Sequence, residues 1–193
     1  MDKGQQRTEL IANRVMRLRA QSATQIQDRS DAVVAATLAN AHIAQACEQA
    51  RIVASYESFG TEPPTHELND ELRRMGATVI VPSYEDGNGA RTDHLSWHVL
   101  TGDGIRAGCV AKSAAEFKQL ACAAMLIPAL AVARDGSRLG RGGGYYDRML
   151  SAVPRHPGGP IRIAIVYADE VFDSLTREAH DEFVDDHLAI RID

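Results

Sequence analysis

The stretch Gly136-Ser137-Arg138-Leu139-Gly140-Arg141-Gly142-Gly143-Gly144-Tyr145-Tyr146-Asp147 decides how the chain is read. Five of the chain's 15 glycines fall within nine residues of it, with two arginines among them and an acid just beyond. Glycine admits left-handed backbone and lets a ligand approach the amides closely. Successive amides pointing into one concavity make an anion nest. Arg138 and Arg141 add fixed charge in a forked geometry suited to phosphate oxygens. Flexible tethers pair Gly with Ser rather than with Arg and a Tyr pair, so the stretch reads as an anion or phosphate loop. It is not a Walker loop, which ends in Gly-Lys-Ser/Thr. Nor is it a dinucleotide fingerprint, because counting from Gly140 the last glycine position holds Tyr145.

Outward from this loop, the apolar run at 123–127 reads as a buried strand and 145–150 as a short helix closed before Pro154. A loop between strand and helix sets a helix N-terminus beside the anion. On the N-terminal side, Leu10, Ile11, Val15 and Leu18 predict an amphipathic helix over 8–20, with Arg14, Arg17 and Arg19 on its solvated face. Ser22-Ala23-Thr24-Gln25 is a capping box for an Ala-rich helix to about Glu48, interrupted near Ser30. Strands are expected at 51–56, at 77–81 (closed by Pro82), at 94–100, at 161–167 and at 188–190, with a helix carrying Leu68, Leu72 and Met75 between the first two. The connection at 85–92 is polar. His94 and His98 fall in a strand, about 13 Å apart, and are not read as a metal pair. Alternating strands and helices predict a single three-layer α/β domain over 1–193 with a largely parallel open sheet.

A chain of 193 residues, 45% apolar and 24% charged, suits one soluble domain. The net charge of −5 argues against a nucleic-acid binder and makes the cationic loop a local feature. Cys47, Cys109 and Cys122 are odd in number and widely spaced, as reduced thiols of a cytoplasmic protein are. No apolar run reaches the roughly 18 residues of a membrane span, and the N-terminus has no apolar signal core. A monomer or weak dimer is expected. Asp147, just past the loop, and Asp181, in a polar turn, are a carboxylate pair suited to Mg²⁺ beside a polyphosphate.

The 136–147 motif resembles the signature of the 5-formyltetrahydrofolate cyclo-ligases. Ile127-Pro128-Ala129-Leu130-Ala131-Val132 before it, Tyr56 with Glu62-x-x-Thr65, Gly76 with Val81-Pro82, and Glu178-Ala179-His180-Asp181 follow in that family's order. The resemblance implies an open α/β sheet of the kind shared with sugar-phosphate isomerases and CoA transferases. It also implies conversion of 5-formyltetrahydrofolate to 5,10-methenyltetrahydrofolate with ATP and Mg²⁺, through phosphorylation of the formyl oxygen. Under it Arg7, Arg138, Leu139, Gly140, Arg141, Gly142, Gly143, Gly144, Tyr145 and Tyr146 bind ATP, and Arg141 and Tyr146 are catalytic. Glu57, Glu62 and Tyr145 meet the reduced folate, and Asp147 and Asp181 hold the metal.

Three features depart from the family's pattern. An N-terminal Lys-x-x-x-Arg pair reaches the phosphates in that family. In register with Ser22 its positions are Arg7 and Ile11, while a register using Lys3 and Arg7 needs four extra residues in the helix. Ala111-Lys112 replaces Glu-Pro, and Arg191-Ile192-Asp193 replaces an ending with Thr. A lost phosphate cation makes a catalytically weakened folate- or nucleotide-binding paralogue the alternative reading.

Overall fold

Residues 161–167 alternate isoleucine with smaller or longer side chains, yet all seven are buried, as in a strand covered on both faces. In a computed structural model, which describes residues 2–86, 88–102, 104 and 106–191, this strand lies inside a seven-stranded sheet. The chain runs α1 (Lys3–Leu18), α2 (Ala23–Leu38), α3 (Ala41–Glu48), β1 (Ile52–Ala54), α4 (His66–Arg74), β2 (Thr78–Glu85), β3 (Arg91–Leu100) and β4 (Arg106–Ala111). It continues through α5 (Ala114–Gln119), β5 (Ala124–Pro128), β6 (Ala131–Ala133), β7 (Arg138–Leu139) and α6 (Tyr145–Leu150). It ends with β8 (Ile161–Tyr167), a 3-10 turn at Ala168–Glu170, β9 (Val171–Phe172) and β10 (Asp186–Ile190).

The sheet order is β10-β8-β5-β1-β2-β3-β4, parallel from β10 to β2, with β3 and β4 added antiparallel. Side chains alternate between two cores. Val53, Val79, Leu126 and Ile163 pack under α2, α3 and α4, whereas Ala54, Ile80, Met125 and Ile127 face α5 and α6. These are the three layers expected. The order turns back between β1 and β5, the switch point where open α/β sheets leave a crevice beyond their carboxyl ends.

Four local expectations change. Helix α1 starts at Lys3 because Asp2 caps it, accepting from Gln5 N at 2.9 Å. The break in the second helix falls at Asn40, which caps α3, and Ser30 is buried inside α2. Pro82 does not close β2. Ile80 O accepts Ser55 N, so the next bond of the parallel ladder would run from residue 82 N to Ser55 O; Pro82 has no N–H to give, so pairing with β1 stops there while β2 continues against β3. Finally, a hairpin of β6 and β7 stands between β5 and the glycines, so the loop does not run straight from strand to helix. The connection at 85–92 is a tight β2–β3 hairpin with Glu85 opposite Arg91; Gly87 in it lies outside the described residues, as do Ile192 and Asp193. Among the described residues, no helix is long and apolar enough to cross a membrane.

Candidate active site

The segment after β1 is fixed by its own polar side chains. Tyr56 O accepts from Thr65 Oγ1 at 2.6 Å and from Asn69 Nδ2 at 3.0 Å, while Ser58 and Thr65 each donate an amide to the other's hydroxyl at 3.0 Å. This ties both ends of a Pro-Pro loop to the start of α4. The loop buries Glu62, whose Oε2 accepts Phe59 N at 3.2 Å and whose Oε1 accepts Arg141 Nε at 2.8 Å. Phe59 is 61% exposed, with its ring 4.5 Å from the Arg141 guanidinium.

Gly136 turns the β6–β7 hairpin with φ +84°, and a Cβ there would lie 2.6 Å from Val184 O. Its own carbonyl accepts Val184 N at 2.9 Å, which joins the hairpin to the segment carrying Asp181. The open part of the motif is therefore shorter than the sequence suggests. Ser137, Arg138 and Leu139 are buried, and the turn proper is Gly140 to Gly144, the last left-handed (φ +67°) at the start of α6. Arg138 donates to Asp147 Oδ1 at 2.8 Å and is held 5.8 Å from the Tyr146 ring.

Helix α1 meets this turn with an inward stripe that is cationic rather than apolar. Lys3 Nζ donates to both Asp181 oxygens at 2.6 and 2.7 Å and to Glu178 Oε2 at 3.3 Å. Arg7 Nε donates to Gly140 O at 2.9 Å. The Lys-x-x-x-Arg pair in the cleft is thus Lys3 and Arg7; Ile11, one turn further along, does not line it. Of the arginines expected on a solvated face, Arg19 is exposed, Arg17 is half-buried and Arg14 is not solvated at all. Arg14 is fully buried and Val15, expected inside, is 47% exposed.

These parts enclose a cleft of about 530 Å³. One end is polar, with Lys3, Arg7, Arg138, Asp147, Glu178 and Asp181; the other is aromatic, with Phe59, Tyr84 and Tyr145. Tyr84 and Tyr145 meet edge-on at 5.0 Å, and Tyr145 Oη donates to Thr92 O at 2.9 Å. Burial, then repulsion from Tyr84 and Tyr56, pushes the Tyr146 phenol well above its usual pKa. Burial and the charge of Glu62 also raise the Tyr84 phenol. Burial raises the Asp181 carboxyl, but the hydrogen bonds from Lys3 and Glu178 N and the charge of Lys3 outweigh it and hold that acid below the carboxylate norm.

Of the residues singled out in the sequence, Arg7, Glu62, Arg138, Gly140 to Tyr146, Asp147 and Asp181 line this cleft. Leu139 does not; it is 1% exposed, in the hairpin. Glu57 lies in a smaller adjoining cavity, where it accepts Arg106 Nε at 2.7 Å. The two carboxylates are engaged separately, Asp147 by Arg138 and Asp181 by Lys3. Among the described residues, the group whose ligand atoms fall within 4.8 Å of one another is Glu178, His180 and Asp181, without Asp147. Ala111 and Lys112 are not among the residues that line it. Sequence reasoning missed Phe59, Tyr84, Arg91 and Glu178 as cleft residues. For Tyr84 the usable signal was period-2 alternation continued past Pro82; Phe59 and Arg91 carried none.

A family model described as the 5-formyltetrahydrofolate cyclo-ligase family matches residues 1–189. A 5-formyltetrahydrofolate cyclo-ligase of Mycolicibacterium smegmatis is 35% identical over 139 residues, covering 68% of this chain and 69% of that protein. One of Mus musculus is 34% identical over 65 residues, 33% and 32% of the two chains. The fold is similar to the NMR structure of Aquifex aeolicus 5,10-methenyltetrahydrofolate synthetase, with a TM-score of 0.71 at 21% identity over 100% of this chain and 93% of the other. It is also similar to a 5,10-methenyltetrahydrofolate synthetase from Mycoplasma pneumoniae, with a TM-score of 0.67 at 19% identity over 97% and 98%.

Proposed function

Since the chain belongs to the 5-formyltetrahydrofolate cyclo-ligase family, we propose that its cleft converts 5-formyltetrahydrofolate and ATP to 5,10-methenyltetrahydrofolate, ADP and phosphate. The observation that carries this reading is the meeting of the glycine turn, the two cations of α1 and the Glu62 loop in one cleft. All of the catalytic groups lie on one domain, read as spanning 1–193. The three free thiols suit a reducing compartment, the cytoplasm.

The chemical difficulty is a formamide oxygen that will not leave. Transfer of the γ-phosphoryl of ATP to that oxygen breaks its bond to ADP and makes the oxygen a leaving group. The neighbouring N10 then attacks the formyl carbon, the C–O bond breaks, and phosphate departs with the N10 proton as the ring closes. The phosphoryl transition state needs alignment and cations for its equatorial oxygens more than covalent help. Arg7, the amides of Gly140 to Gly144 and Arg141 supply those, with Lys3 beside them. Glu62 offers the pterin a buried carboxylate and keeps Arg141 aimed across the junction of the two substrates. Phe59, Tyr84 and Tyr145 give planar surfaces for the folate. Tyr146, its pKa raised by burial, stays protonated and acts as a hydrogen-bond donor, never as a base.

The residues also fit Mg²⁺. The polar end supplies hard carboxylate oxygens, and the pairing of Asp181 and Glu178 with the Lys3 ammonium supports this as a spot that favours positive charge. Asp181 and Glu178 would hold the ion, with Asp147 a further carboxylate in the cleft lining outside their group. When bound, it neutralises charge on the transferring phosphate.

With Lys3 and Arg7 both in the cleft, the loss of a cation at Ile11 no longer argues for a weakened paralogue. The test is direct. Protein mixed with 5-formyltetrahydrofolate and MgATP gives the methenyl absorbance, and omission of ATP abolishes it. Absence of the chromophore with both present overturns the reading.

A further inference from the structure

Arg14 and Glu170 form an ion pair that the reaction above does not use. Arg14 is 0% exposed and Glu170 2%. Arg14 Nε and Nη2 donate to Glu170 Oε1 and Oε2, each at 2.7 Å, and Nη2 also donates to Ala129 O at 2.7 Å. The carboxylate is saturated: Oε1 also accepts Arg17 Nη2 at 3.2 Å, and Oε2 accepts Tyr167 N at 2.9 Å. The guanidinium groups of Arg14 and Arg17 lie 5.3 and 4.6 Å from the Tyr167 ring centre. One side chain of α1 is thus fastened at the carboxyl ends of two neighbouring strands, β5 through Ala129 and β8 through the turn that follows it.

A buried ion pair is poor value as stabilisation alone, since apolar replacements of similar volume often hold a fold as well. What it adds is direction. Three charge-assisted hydrogen bonds fix the rotation of the helix, which apolar contact does not. Lys3, Arg7, Arg14 and Arg17 lie on one helical stripe, at spacings of four, seven and three residues. Arg7 is about 10.5 Å along the axis from the anchor and Lys3 about 16.5 Å, at roughly 1.5 Å per residue. A roll of one residue, about 100°, would withdraw Arg7 from Gly140 O and Lys3 from Asp181.

We propose that Arg14 and Glu170 are positioning residues that set the rotation of α1 so that Lys3 and Arg7 face the nucleotide phosphates. The proposal rests on the functional reading above, and its signature is a split between the two substrates. The folate wall (Phe59, Glu62, Tyr84 and Tyr145) is built from elements other than α1.

Two variants test it. Glu170→Asp keeps the charge pair but draws the carboxylate back by about one bond length, ~1.5 Å. Arg14→Met with Glu170→Leu removes both charges together and avoids leaving one buried and unpaired. Folding is checked by circular dichroism and Tm, nucleotide affinity by calorimetric titration with MgATP in the absence of folate, and folate affinity by titration with 5-formyltetrahydrofolate. The expected result in a folded variant is about tenfold weaker MgATP binding or more, with folate affinity within about twofold, and faster hydrogen exchange across residues 3–10. A folded variant with wild-type MgATP affinity, or with both affinities reduced alike, overturns the proposal. If the double variant does not fold, the aspartate variant decides. Wild-type protein that binds no nucleotide overturns the functional reading itself, and the inference with it; wild-type protein that binds MgATP but forms no product fails the functional test while the positioning test still stands.

Discussion

The glycine turn and helix α1 bring cations to the same cleft, and they are held there by opposite means. The turn carries most of its instructions locally: Gly136 and Gly144 take left-handed conformations, and Arg138 reaches an acid nine residues on. Helix α1 is held by partners far away in the chain: Asp181 and Glu178 for Lys3, Gly140 for Arg7, Glu170 for Arg14. A locally specified element keeps its shape when one long-range contact is cut. A helix held through side chains loses its aim first and its shape later.

The largest effect is expected in the turn. Arg141→Ala removes a cation from the phosphoryl path and leaves the buried Glu62 without its partner, so kcat/KM should fall about a hundredfold or more, through kcat as well as the KM for ATP. Unchanged steady-state kinetics would take Arg141 out of the transition state. Asp147→Asn should come next. It leaves Arg138 buried beside a neutral partner, and the Mg²⁺ concentration for half-maximal rate should rise about tenfold. An identical Mg²⁺ titration would remove Asp147 from the ion.

On the helix side the contrast takes another form, because Lys3→Met should move two affinities in opposite directions. Without the ammonium, Asp181 and Glu178 are free for a divalent ion, so Mn²⁺ binding in the absence of nucleotide, followed by electron paramagnetic resonance, should tighten several-fold. MgATP binding should weaken several-fold for want of a phosphate contact. Both moving the same way would mean that Lys3 and the metal do not share a place.

The same contrast explains what could be read from the chain. The strands with strong local patterning, such as 161–167 and 123–127, and the turn with its glycines were legible because their cause lies within a few residues. The faces of α1 are legible only in part, because apolar periodicity is the only guide: Leu18 packs against the core, but Val15 does not. Leu10, Ile11, Val15 and Leu18 suggested the inward face, while the stripe that turns inward is Lys3, Arg7, Arg14 and Arg17, and its reason is Glu170 and Asp181, more than 150 residues away by number. Leu139 was assigned to the ligand because it sits inside a glycine motif, whereas pairing with Ala131 draws it into the small sheet. Glu57 is given to the folate by the resemblance alone; it lines the smaller cavity that also holds Phe59, Glu62 and Tyr84, where Arg106 engages it.

The smallest expected effect is the sharpest test of helix register. If position 11 faced the phosphates, Ile11→Arg would restore a missing cation and tighten MgATP binding several-fold, by the strength of one charge-assisted hydrogen bond. In the structure position 11 stands a turn beyond Arg7, rotated by about 40° from it, outside the lining of the cleft. A new arginine there extends along a half-buried flank toward water. The expected outcome is therefore a MgATP affinity within about twofold of wild type, read by calorimetric titration, with a slightly lowered Tm from the lost apolar contact. A several-fold gain in affinity would put Ile11 in the phosphate path, return Lys3 to a purely structural bond with Asp181, and leave Arg7 as the helix's single contribution to the nucleotide.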